Sequence, residues 1–226
     1  MRTPVNAQTL KQHITYSWWK YLLALIAGIF AVDLLFTVTA PQIPPEKKVN
    51  FYIYGYADGN ILDPYLAQVR ENEMPDMESL AFNTIMMDES YGQMQLTTYI
   101  AVGEGDVYLL GRDEFLGFSS GGVFIPLETD TELMAMFDAA GKNLRRGWRT
   151  ASDSDEAHLY GIPADQLPAL GTMCASPDGF LAVPASGRNI ENAMKFLRIL
   201  VRDTLEDPVP AETGAAGETA GPSPAP

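Results

Sequence analysis

Residues 93–110, QMQLTTYIAVGEGDVYLL, decide how this chain is to be read. Gln93 to Val102 predicts a helix, and Gly103 closes it, because glycine takes the left-handed turn that ends helices most easily. Asp106-Val107-Tyr108-Leu109-Leu110 then gives a short continuous apolar run of the kind found in a parallel strand buried on both faces. A helix delivered straight into such a strand is half of a repeating α/β unit.

The same alternation extends in both directions. Upstream, Val49 to Tyr56 is β-branched and aromatic and predicts a strand ending near Gly55. Leu62 to Arg70 carries apolar residues at 62, 66 and 69, a short amphipathic helix with Pro64 in its first turn. Ser79 to Met87 predicts a second strand. Downstream, Arg112 to Phe118 makes a helical turn before Gly121-Gly122, and Val123 to Ile125 is briefly extended. Asp130 caps a helix with Leu133, Met134, Met136, Phe137 and Ala140 on its apolar face. Leu159 to Pro163 and Phe180 to Pro184 are candidate strands. Asn189 then caps the most regular helix, where Ile190, Ala193, Met194, Leu197, Leu200 and Val201 recur at helical spacing. Strands alternating with helices imply an α/β domain with a mostly parallel sheet over residues 49–205.

Outside that domain the composition changes sharply. Residues 21–40, YLLALIAGIFAVDLLFTVTA, are apolar apart from Asp33, and a helix of that length covers about 30 Å, the hydrocarbon thickness of a bilayer. Residues 1–20 hold Arg2, Lys11 and Lys20 with no acid, whereas residues 21–226 carry the acidic excess of a chain whose formal charge is −14. That asymmetry predicts a single-pass signal-anchor at 21–40, a cytoplasmic segment at 1–20 and an extracytoplasmic remainder. Trp18, Trp19 and Tyr21 stand where an interfacial aromatic belt belongs. Asp33 within the span points to an intramembrane partner, or to a carboxyl that stays protonated or shifts in depth. Residues 41–48 form a Pro/Lys spacer, and the acidic, Pro/Ala/Gly-rich residues 206–226 predict disorder.

Most catalytic classes find no support. The acidic balance and the lack of a basic stripe outside Lys142–Arg149 speak against nucleic acid. No phosphate-binding glycine motif, cofactor fingerprint or nucleophile elbow is present. The one cysteine, Cys174, reads as a small buried residue. Asp153, Asp155, Glu156 and His158 lack the spacing of a calcium loop, so no metal site is expected. Met86, Met87, Met94, Met134 and Met136 read most simply as core filler.

Four segments bear a family likeness. Thr97 to Leu110 resembles a helix–acidic turn–strand of extracellular solute-binding proteins of ABC importers. Gly122-Val123-Phe124-Ile125-Pro126-Leu127-Glu128, Tyr160-Gly161-Ile162-Pro163 and Asn189 to Leu197 resemble later segments of that family, in the family's order. The resemblance implies one lobe of a periplasmic-binding-protein fold. Only residues 164–179 separate the Tyr-Gly-Ile-Pro segment from the next candidate strand, too few for a second lobe.

In open parallel sheets ligands bind at the C-terminal strand ends. Tyr56, Asp58, Asp88, Glu89, Arg112 and Asp113 are therefore the candidate rim, suited to a saccharide or peptide through stacking and carboxylate hydrogen bonds. Two functions compete: a membrane-anchored solute-binding-like module that presents or senses a small ligand, and a non-catalytic assembly component that has lost one. A large apolar patch over the face that a second lobe would cover favours the second, and a concave pocket at the strand ends with convergent Tyr and acids favours the first. A hydrolase is the least supported reading.

Overall fold

The computed structural model describes residues 7–39, 43–88, 91–152, 154–176 and 178–206. Two compact units divide the chain, residues 1–42 and 43–226. The first contains helix α1 (Ala7–Thr39). Within it, Trp18–Thr37 is long and apolar enough to cross a membrane by length and composition.

The second unit is built on a five-stranded sheet. Its order is β3 (Ser79–Ile85), β1 (Lys48–Tyr54), β4 (Val107–Leu110), β9 (Phe180–Ala182) and β7 (Ile162–Pro163). Strand β1 pairs in parallel with β3, Phe51 opposite Phe82, and with β4, Phe51 opposite Val107. Strand β9 alone runs the opposite way, antiparallel to both β4 and β7, so four of the five strands share one direction while two of the four pairings are antiparallel, and the sheet is mixed. A strand no longer than three residues, such as β7 or β9, supplies too little apolar pattern to show its direction in sequence.

The strands alternate between two cores, as the period of two requires. Val49, Phe51, Ile53, Val107, Leu109, Leu181 and Val183 share one core with helix α2 (Gly59–Asn72), helix α5 (Thr131–Ala139) and helix α7 (Ile190–Thr204). Tyr52, Tyr54, Tyr108, Leu110, Phe180 and Ala182 face helix α3 (Tyr91–Val102) and helix α4 (Arg112–Ser120) on the other side. Phe115 of α4 stacks on Phe180 with ring centroids 4.2 Å apart. Both sheet faces are thus covered, which is why β4 reads as an unbroken apolar run.

Several boundaries differ from the sequence reading. Helix α2 begins at Gly59, not Leu62, so Pro64 lies inside it, beyond the first turn. The first strand ends at Tyr54; Gly55 takes φ +141°, and Tyr56–Ala57 forms a separate strand β2. Strand β2 pairs antiparallel with β8 (Cys174–Ala175), which follows the short helix α6 (Leu170–Met173). Residues 123–125 make only one bridge, Phe124 to Pro184. The stretch from Leu159 to Pro163 splits between β6 (Ala157–Leu159), paired with β5 (Trp148–Thr150), and β7.

Asp130 caps α5 as expected, its Oδ1 accepting from the Leu133 N–H at 3.0 Å, while its Oδ2 holds Arg198 at 2.6 Å. Asn189 precedes α7 but does not cap it with its side chain. Its Nδ2 instead donates toward the carbonyls of Pro45, Glu46 and Lys48, tying α7 to the segment that enters β1. The expected disordered tail lies, from residue 207 onward, outside the described residues.

Candidate functional site

The C-terminal ends of the parallel strands form one edge of the second unit. The entry segment Pro45–Lys48 lies at the opposite edge, since β1 runs from Lys48 to Tyr54. At the first edge five of the six candidate residues are described. Asp58 is the N-cap of α2: its Oδ1 accepts from the Asn60 N–H at 2.9 Å and from Asn60 Nδ2 at 3.1 Å. Asp88 serves α3 in the same way, accepting from the Tyr91 N–H at 2.8 Å. Both carboxylates thus satisfy helix N–H groups that would otherwise lack partners. Arg112 and Asp113 occupy the first turn of α4, both exposed, and Asp113 lines a cavity near this edge. That cavity, about 280 Å³, lies between α3 and α4 beside Gln93, Thr97, Glu114 and Phe118. Tyr56 stands exposed. Glu89 lies outside the described residues.

What gathers at this edge is apolar. Tyr56, Met86, Met87, Tyr91 and Met94 are each between 65% and 72% exposed, and no other large apolar side chain described in residues 43–206 exceeds 51%. The reading of Met86, Met87 and Met94 as core filler is therefore corrected: these three stand in solvent, and Met134 and Met136 are half-buried against the core. Two close approaches bring the segments that carry these residues side by side. A Cβ built on Gly55 would sit 3.7 Å from the Met87 sulfur, placing Met87 beside the β1–β2 corner that carries Tyr56. A Cβ on Gly92 would strike the Met86 carbonyl oxygen, so the start of α3 is seated on the chain leaving β3. Helix α3 contains no charged residue; Leu96 and Ile100 are buried on one side while Tyr91 and Met94 face outward. The outward side also carries Gln93, Thr97 and Thr98, so it is polar without being charged, where a surface helix ordinarily bears some charge.

No family model matches this sequence, and no curated protein matches it. Solved structures overlap it in part. A family 1 extracellular solute-binding protein from Alicyclobacillus acidocaldarius covers 54% of this chain and 29% of its own, at 16% identity and TM-score 0.37. One from Bifidobacterium longum subsp. infantis covers 52% and 27%, at 18% identity and TM-score 0.37. An ABC transporter solute-binding protein from Agrobacterium vitis, solved with bound D-mannitol, covers 51% and 26%, at 18% identity and TM-score 0.33. This chain spans less than a third of the length of those proteins' chains. Function is accordingly argued from the site.

The remaining polar groups serve the fold. His158 Nδ1 meets Glu128 Oε1 at 2.6 Å, and Glu128 Oε2 accepts from the Leu159 N–H, which pins β6 to the 310 turn at Leu127–Thr129. Arg146 bridges Asp165 and Asp178 and lies 5.4 Å from the centre of the Phe180 ring. Among the described residues no three His, Cys, Asp or Glu side chains gather as metal ligands do. Burial pushes the Cys174 thiol up to about 12, which removes its thiolate at neutral pH.

Proposed function

We propose that this chain is a membrane-anchored, non-catalytic binding module with its second unit outside the cytoplasm, and that the strand-end edge contacts another protein rather than enclosing a small solute. The observation that carries this reading is the apolar patch of Tyr56, Met86, Met87, Tyr91 and Met94 at the place where a polar rim was expected. Large contiguous apolar surface marks sites of association. Two of the expected ligand-binding acids, Asp58 and Asp88, have helix N–H groups as partners already.

The four ordered segments resembling solute-binding proteins support descent from a ligand-binding lobe. The apolar span Trp18–Thr37 and the cation excess before it support a single pass with the N-terminus inside. Asp33 shares one helix face with Leu25, Gly28, Ile29, Val32 and Phe36, a surface suited to a partner's membrane helix bearing a Lys, Arg or polar group. The small-ligand reading keeps one specific feature, the cavity beside Asp113.

Photo-crosslinking side chains placed at Met87 and Met94 of the full chain, in intact membranes, test the proposal, with Ser186 at the opposite edge as control. Discrete protein adducts from the two methionine positions and none from Ser186 are expected. Adducts from neither, together with thermal stabilisation by a saccharide or peptide panel, would return the small-ligand reading.

A further inference from the structure

Resting on that reading, we infer that the occupant of the apolar edge is a cationic amphipathic helix of another protein. Residues 43–206 hold 12 Lys and Arg against 25 Asp and Glu, a net charge of −13. The five patch side chains are uncharged; Asp88 follows Met87 in the chain, and Asp113 and Glu114 line the cavity between α4 and the Gln93–Thr97 side of α3. Arg112 is the cation beside them, and Arg146, which reaches the Phe180 end of β9, is already tied to Asp165 and Asp178. An apolar centre with an acidic margin complements a segment that is apolar on one face and basic at its sides.

The same charge argues against a second copy of this chain, because two units of −13 repel as they approach. It argues against an anionic lipid surface for the same reason. The patch chemistry suits a helix in particular. Three methionines supply unbranched, polarizable side chains that repack around bulky anchors, and two tyrosines supply rigid apolar area with a polar tip. Apolar residues recurring every third or fourth position on one helix face would reach both α3 and the β3 exit.

The test uses the full chain in nonionic detergent micelles and three fluorescent peptides: a Leu/Lys amphipathic helix, a Leu/Glu helix with the same apolar face, and a Ser/Lys peptide of equal charge. Anisotropy titrations should show the Leu/Lys helix binding at least about tenfold more tightly than either other peptide. A variant carrying Met86→Ser, Met87→Ser and Met94→Ser should lose that binding, and Asp113→Asn with Glu114→Gln should weaken it and flatten its salt dependence. Equal binding of the Leu/Lys and Leu/Glu helices, lost from both with the methionine substitutions, would overturn the cationic assignment while leaving protein docking in place. Binding that ignores the methionine substitutions would overturn both. Self-association of the chain that the same substitutions abolish would assign the patch to a second copy instead.

Discussion

Asn50 and Asp106 exchange two hydrogen bonds where β1 and β4 begin: the Asn50 N–H donates to Asp106 Oδ2 at 2.8 Å, and the Asp106 N–H donates to the Asn50 carbonyl at 3.0 Å. Asp106 is buried, and burial pushes its pKa up to about 6 against the opposing pull of the Asn50 N–H and Lys48. The folded chain therefore holds this proton more firmly than the unfolded chain does. Its contribution to stability is fullest below about pH 4 and falls away as pH rises to about 6, leaving a charged-state penalty on the order of 3 kcal/mol. Asp106→Asn keeps an acceptor for the Asn50 N–H and cannot ionise. Thermal melts should place the variant above the parent at pH 7 and bring the two together near pH 4; parallel curves across that range would refute the assignment.

Asn189 gives a second expectation, because its side chain works as a donor. Ordinary N-cap positions accept Asp as readily as Asn. Here the amide nitrogen faces three carbonyl oxygens, at 3.0 Å from Lys48, 3.2 Å from Glu46 and 3.3 Å from Pro45. Asn189→Ala should cost about 2 kcal/mol by stranding those groups. Asn189→Asp should cost more, since it offers no donor and brings negative charge to the same oxygens. Equal stability of Asn189→Asp and the parent in urea denaturation would mean that the residue caps α7 conventionally.

The methionines allow a direct check of exposure. If Met94 were packed, removing its side chain would cost about 2–5 kcal/mol. Standing in solvent, Met94→Ser and Met86→Ser should each change stability by no more than about 0.5 kcal/mol. Chemical denaturation distinguishes the two cases. The buried Cys174 supplies an internal control, resisting maleimide in the folded chain at pH 7 and reacting once the chain is unfolded.

Four elements were legible in the sequence: β1, β4, α3 and α7 lie within one or two residues of where composition, helix-ending glycine and, in α7, apolar periodicity place them. The candidate site was not. The apolar periodicity of α2 begins only at Leu62 and so leaves Asp58 among the rim acids, whereas Asp58-Gly59-Asn60 is the entry to the helix and Asp58 its cap. Asp88 carried the same signal ahead of Tyr91. Methionine is compatible with both core and interface, so composition alone did not place Met86, Met87 and Met94 outside. The absence of any charge in α3 was the available hint, since a helix with one solvent face ordinarily carries some. Strand direction in β7 and β9 depends on pairings across the sheet, which no local pattern encodes.

Gly92 and Gly117 separate backbone seating from helix propensity. Both lie within helices, α3 and α4. A Cβ on Gly92 meets the Met86 carbonyl oxygen, a backbone atom that cannot swing aside, and approaches the Tyr54 ring at 3.5 Å. Gly92→Ala should therefore destabilise by about 2–3 kcal/mol, and it should lift α3 off the β3 exit, displacing Met86 and Met87 relative to Met94. Nothing lies within 4 Å of a Cβ on Gly117, which is exposed. Gly117→Ala should stabilise by about 0.5–1 kcal/mol through reduced backbone freedom in the unfolded chain. Measured together by denaturation and by Leu/Lys peptide binding, Gly92→Ala should lose both stability and affinity, while Gly117→Ala gains the first and keeps the second. Full peptide affinity in folded Gly92→Ala would mean that the strand-exit methionines and α3 bind independently, so that the patch is not one surface.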